Sequence, residues 1–187
     1  MKRAFIVITL LLIASVAINY FIDHKDDEKP YLERLKHTFD CADWQTHSDA
    51  DYGYEMRFLS CFRRDENGER GSVRYVYVEE VSPLQSVCYI TQEVHTEVCK
   101  DSLCPEAEIR ERAKALGGLY LKQSDDSYLM SGMLISNDKY VTAYKYNAKW
   151  VLCQHLWFVQ TLIYPEDFAT AAERIVHEVD EWQPFSR

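Results

Sequence analysis

The chain carries few of the short signatures that mark catalytic and ligand-binding proteins. There is no Gly-x-Ser-x-Gly turn to present a nucleophile and no glycine pattern to cradle phosphate. Zinc spacings of the Cys-x-x-Cys or His-Glu-x-x-His kind are missing, and no cofactor is expected. No internal repeat or low-complexity tract occurs, which excludes a solenoid or a long linker. None of Asn19, Asn67, Asn137 and Asn147 begins a glycosylation sequon, which fits a bacterial envelope better than a glycosylating secretory route. Basic charge is scarce as well. Lys2 and Arg3 are two of the 21 basic residues and no acid precedes Asp23, so residues 23–187 hold 19 basic against 30 acidic groups, a net of −11. Phosphate backbones need a basic footprint, so nucleic acid is excluded as a partner, and an anionic lipid surface would repel the domain. A basic protein partner would be attracted, although solubility alone also accounts for negative charge.

What is present begins at the N-terminus. Lys2-Arg3 precedes an apolar run from Ala4 to Ile22, broken only by Thr9, Ser15 and Asn19. At about 1.5 Å per residue the run makes roughly 28 Å of helix, close to a bilayer's hydrocarbon core. The basic start and the abrupt charges from Asp23 favour a single-pass anchor in a bacterial inner membrane, N-terminus cytoplasmic and domain periplasmic. Ser15-Val16-Ala17 offers the alternative of a cleaved signal, releasing a soluble periplasmic or secreted protein. The apolar run continues past that site, which favours retention. No cysteine lies near the segment, so a lipoprotein anchor is excluded. The expected organisation is a signal-anchor over 1–22, a polar tether over 23–30 and one globular domain over 31–187.

Export makes the even cysteine count informative. Cys41, Cys61, Cys88, Cys99, Cys104 and Cys153 are expected to form disulfides. Cys99 and Cys104 are the best local pair, with Pro105 opening a helix just after them. Cys41 with Cys61 and Cys88 with Cys153 are the remaining assignments. A thiol at a helix start is activated, so Cys99 and Cys104 also raise a redox reading, but their spacing is not that of thioredoxin-like chemistry.

Hydrophobic periodicity supplies the elements. Leu32, Leu35 and Phe39 repeat at helical spacing before Asp40, and Trp44 to Asp51 is polar and turn-like. Residues 52–62 and 73–78 alternate as strands around Asn67-Gly68 and read as a hairpin with a long loop. Ser82-Pro83 breaks the chain before a strand over 87–98. A helix capped by Asp101 or Ser102 runs from Pro105 to Leu116 and stops at Gly117-Gly118. Strands follow over 119–122, 128–136, 140–146 and 150–164, with turns at Asn137-Asp138 and Asn147-Ala148. Pro165 opens a last helix whose apolar stripe is Phe168, Ala172, Ile175, Val179 and Trp182. Runs of adjacent strands between helices imply an α+β domain with a mainly antiparallel sheet of about seven strands and two or three packed helices. That order, ending in an amphipathic helix laid on the sheet, loosely resembles the Mog1/PsbP-like α/β/α sandwiches. The resemblance rests on element order and transfers no functional residue.

Three constellations invite chemistry. His47, Asp49 and Asp51, with Asp40 and Asp43 nearby, form a loop that lacks the glycine and closing glutamate of a calcium site. Cys153 and His155 share one strand face but have no further zinc ligands to join them. Finally, the sequence has 13 tyrosines, many on strands, where they pack well and are also enriched in binding hot spots. Tyr75 and Tyr77, rimmed by Glu79, Glu80, Glu93 and Glu97, make the candidate binding surface. The functional expectation is a non-enzymatic domain that binds another envelope or secreted protein, such as an immunity protein against a secreted toxin. An envelope hydrolase or thiol-redox enzyme, or a carrier of a small apolar ligand, is the alternative. A flat acidic tyrosine patch favours the binder, and a deep apolar pocket the others.

Overall fold

The computed structural model describes residues 31–66, 71–82, 85–100, 104–135 and 143–185. The N-terminal run and its tether lie outside the described residues, and no helix within them is long and apolar enough to cross a membrane. The elements are α1 (31–41), β1 (Trp44–Ser48), β2 (Glu55–Leu59), β3 (Arg63–Arg64), β4 (Ser72–Ser82) and β5 (Gln85–Val98). After them come α2 (Pro105–Ala115), β6 (Leu119–Lys122), β7 (Ser127–Ile135), β8 (Ala143–Cys153), β9 (Leu156–Pro165), a 3-10 turn (Glu166–Phe168) and α3 (Ala169–Glu181). This is the expected α+β domain: a seven-stranded antiparallel sheet ordered β3-β4-β5-β9-β8-β7-β6, a separate β1–β2 hairpin, and three helices among the described residues.

The helices end where local chemistry dictates. Pro105 occupies the first turn of α2, where a missing N–H costs nothing, and Gly117 at φ 64 takes the left-handed position after Leu116. Arg174 of α3 terminates α1 from outside. Its Nη1 donates to the carbonyls of Phe39 at 2.5 Å, Asp40 at 3.0 Å and Ala42 at 2.9 Å, satisfying acceptors that a helix end leaves open.

Two cores flank the sheet because strand residues alternate between its faces. On one face α1, α3 and the hairpin bury Leu35, Phe39, Met56, Phe58, Tyr75, Leu162 and Ile175. On the other, α2 covers Tyr128, Met130, Trp150 and Trp157 with Ile109 and Ala113. Cross-strand register defines a row on the first face: Val73, Val94, Gln160, Lys149, Leu129 and Leu121. The row runs from full burial at Val94 to 62% exposure at Leu121, so the covering layer stops near Lys149.

Several expectations are corrected. Trp150 to Tyr164 is not one strand. β8 continues through Asn147-Ala148 to Cys153, and the reversal falls at Gln154, whose φ is 58, and His155. Asn147 is held in the strand because its Oδ1 accepts a hydrogen bond from Tyr164 Oη at 3.1 Å. Trp44 to Ser48 forms β1 rather than a turn, paired with β2, and only β3 reaches β4. The hairpin expected around Asn67-Gly68 therefore shrinks to a two-residue stub, closed by Asp65 N–H donating to Arg74 O at 2.9 Å. The Asn67-Gly68 and Asn137-Asp138 turns lie outside the described residues, as do Asp101 and Ser102, and the N-cap position of α2 is taken by Cys104, which makes no side-chain capping bond.

Candidate binding cleft

No disulfide forms among the described residues. Register separates Cys88 from Cys153. Cys88 stands opposite Glu79, whereas Cys153 pairs with Leu156, which pairs with Val98 at the other end of β5. At about 3.3 Å per residue those ends are roughly 30 Å apart, against the ~7 Å limit for bridging two Cα atoms. Cys41 closes α1 with its sulfur 3.6 Å from His37 Nδ1, and half-buried Cys61 follows β2. The two chain segments meet where Ser60 N–H donates to Asp43 O at 2.8 Å. Cys99 is buried, its Sγ donating to Glu108 Oε2 at 3.5 Å, and Cys104 stands exposed at the start of α2.

The tyrosine surface does not assemble. Tyr75 is cross-strand from Gln92 and Arg74 from Glu93, so the tyrosine face of β4 and the glutamate face of β5 are opposite sides of one sheet. Tyr75 stacks on Phe58 at 3.8 Å and Tyr77 meets Phe39 edge-on at 4.9 Å, both inside the first core. Glu93 is engaged by Arg74 at 2.8 Å and Glu97 lies 2.9 Å from Arg112, so both acids are already paired. The Glu97 contact is ionic, since its Oε1 lacks the angle for a hydrogen bond. The side chains of Glu79 and Glu80 lie outside the described residues. Tyr54, Tyr128, Tyr146 and Tyr164 are buried too and serve packing, while Tyr52 and Tyr89 remain exposed. The acidic loop near His47 is likewise structural. Asp49 Oδ1 accepts the Asp51 and Tyr52 N–H groups at 3.0 and 2.7 Å, building the β1–β2 turn, and no metal-holding cluster occurs among the described residues. Cys153 and His155 flank the β8–β9 reversal and do not share a strand face.

A different feature is built where the covering layer stops. A cleft of about 870 Å³ opens between the β2–α3 layer and the β6–β7 turn. One wall carries Glu55 and Arg57 of β2 with Glu178 and Glu181 of α3, and the other carries Gln123, Ser124, Asp126 and Ser127. Lys149 of β8 forms the floor, and the tail after α3 supplies Trp182, Gln183 and Phe185. The tail is fixed against β2, because Trp182 Nε1 donates to Glu55 O at 2.7 Å and Glu55 N–H to Pro184 O at 2.8 Å. Phe185 closes edge-on to Phe158 at 5.0 Å while remaining 39% exposed.

Charge in the cleft is unbalanced. Glu55, Asp126, Glu178 and Glu181 face two cations, Arg57 and Lys149. Arg57 is spent on Glu178 at 3.1 Å and lies over the Trp44 ring at 5.0 Å, whose other cation contact is Arg174 at 4.9 Å. Lys149 is 2% exposed, and burial holds its ammonium below the ordinary lysine range, opposed by the charges of Glu181, Asp180 and Asp126. Asp180 moves the other way: burial raises its carboxyl, against Lys149 and His177. Glu55, Asp126 and Glu181 are thus the acids whose charge the wall leaves for a visitor. Apart from Trp182 on the apolar stripe of the last helix, no cleft residue stands out in the sequence, because Lys149 sits beside the Asn147-Ala148 pair that reads as a turn.

No protein-family model matches the chain, and no curated protein matches it. Among solved structures it is similar to the solution structure of cyanobacterial PsbP (CyanoP) from Synechocystis sp. PCC 6803. The TM-score is 0.46, with 13% identity, covering 74% of this chain and 89% of that one. No activity or residue role is carried over from that likeness.

Proposed function

We propose that the chain is a non-enzymatic binding domain, held at the outer face of a bacterial inner membrane by residues 4–22, whose cleft takes a basic segment of another envelope or secreted protein. A secreted toxin neutralised by an immunity protein is one form of that pairing. The observation that carries the reading is the cleft itself: carboxylates outnumber cations, one cation is consumed by Glu178, and Trp182 and Phe185 add apolar surface. Long-range attraction between unlike surfaces speeds encounter and sets orientation, which suits a domain tethered near a membrane. In that oxidising compartment the reading includes disulfides between Cys99 and Cys104 and between Cys41 and Cys61.

The test uses the full chain in detergent and fluorescent decapeptides rich in lysine and arginine, with acidic peptides of matched length as controls. Binding should favour the basic set and weaken with salt, as exposed charge pairs do. A Glu55→Lys, Glu181→Lys double variant should lose affinity by about tenfold or more, because rim pairs worth about 0.2–1 kcal/mol each become repulsive. Reversing the exposed Glu33 and Glu173, which lie outside the cleft, should cost far less. Equal affinity of the two double variants would refute the assignment.

A further inference from the structure

Lys149 is a buried amine with an opening beside it. Its Nζ donates to Gln123 Oε1 and, at 3.1 Å, to the main-chain carbonyl of Asp180. Both acceptors are uncharged oxygens, and Glu181, Asp180 and Asp126, whose charges reach the amine, make no ion pair with it among the described residues, so burial still disfavours the ammonium form. A neutral amine has two N–H donors and one lone pair. The two acceptors match the two donors and leave the lone pair unused. Its cross-strand partner Gln160 is fully buried, and neither amide atom of Gln160 has a hydrogen-bond partner among the described residues. The floor of the cleft therefore presents an amine bonded only to neutral oxygens, cross-strand from a buried amide that makes no hydrogen bond among the described residues.

We propose that Lys149 is the amine nucleophile of this cleft and condenses with the aldehyde or ketone group of a small ligand to form an imine. The nitrogen lone pair attacks the carbonyl carbon while the carbonyl π pair moves to oxygen. A proton passes from nitrogen to that oxygen, giving a carbinolamine. Loss of the hydroxyl with the second nitrogen proton releases one water and leaves the C=N bond. No oxidant or reductant is consumed. The wall of Glu55, Asp126 and Glu181 selects ligands that are neutral or cationic away from the carbonyl and repels anionic keto acids. The amine's availability follows from its burial, which disfavours the charged form. The proposal shares the cleft with the peptide-binding reading but does not depend on the identity of any partner.

Competitive reductive trapping tests it on the full-length protein at pH 7. Propionaldehyde with cyanoborohydride converts each imine to a stable propylated amine, located by peptide mass mapping. Exposed Lys100 and Lys114, which lie outside the cleft, serve as internal references. Lys149 should be modified at least tenfold faster than either, and glyoxylate, an anionic aldehyde, should lose most of that preference. Lys149→Arg should remove the fast site while leaving Lys100 and Lys114 unchanged. Modification of Lys149 no faster than the references would overturn the proposal, and this reading needs no variant that might misfold. Such a failure would leave the charge-reversal result intact, because that experiment reads the rim and this one reads the floor.

Discussion

Replacing Glu108 with alanine probes the least typical carboxylate in the molecule. It lies on α2 with 8% exposure, where a helical glutamate would ordinarily face water. Oε1 accepts from Arg112 at 2.8 Å, while Oε2 accepts from Lys100 N–H at 3.0 Å, Trp157 Nε1 at 3.3 Å and Cys99 Sγ at 3.5 Å. Burial alone would push its carboxyl up. The hydrogen bonds from Arg112, the Lys100 N–H, Trp157 and Cys99 outweigh it and hold the group below the usual glutamate value. Removing the side chain strands the Trp157 and Lys100 donors and takes one acid from an ion pair whose arginine also covers the Trp150 ring at 4.9 Å. Breaking one side of such a buried network costs about 3–5 kcal/mol. Urea denaturation at pH 7 reads that loss directly, as a shift in midpoint at unchanged slope. Because the folded-state value is depressed, the contribution of Glu108 is fully present above the unfolded-state value of 4.5 and disappears as pH falls through the lower folded-state value. The gap between wild type and Glu108→Ala should therefore narrow in acid. A loss under about 1 kcal/mol at pH 7, or a gap unchanged down to pH 2, would refute the account of α2 as anchored by this carboxylate.

Arg174→Ala should cost about 2–4 kcal/mol, since a charged donor leaves three carbonyls at the end of α1, and hydrogen exchange should show that helix losing protection ahead of the sheet. Arg174→Lys should restore only part, because a single ammonium lacks the planar fork that also stacks on Trp44. Gly118→Ala should destabilise by about 1–3 kcal/mol, because its Cβ would stand 2.0 Å from Tyr146 Oη and 2.7 Å from the Ser131 carbonyl. Adding Tyr146→Leu should relieve only the first clash, so thermal melts of the double variant should still fall short of Tyr146→Leu alone.

The α+β class, the spans of α1 and α2, the body of α3 beyond the 3-10 turn that follows Pro165, and most of β4 to β9 were legible in sequence because they depend on neighbours a few residues apart. Pro105 and Gly117 bound α2 by their own backbone limits, and alternation of apolar residues marks a strand whatever it pairs with. The surplus of acid and the missing motifs were legible too, since neither depends on geometry. Tertiary structure alone decided which residues share a face and which are buried. Polar Trp44–Ser48 becomes a strand because β2 pairs with it, and Asn147 stays in β8 because Tyr164 reaches it from the next strand. Tyr75 and Glu93 fall on opposite faces through a register set between strands, which no local pattern encodes. Glu108 and Lys149 look like ordinary solvent-facing charges until distant segments enclose them: β5 and β9 around the first, α3 and the β6–β7 turn around the second. Burial comes from contacts between residues far apart in the chain, so the two groups carrying the most consequential chemistry were visible only once those contacts were made.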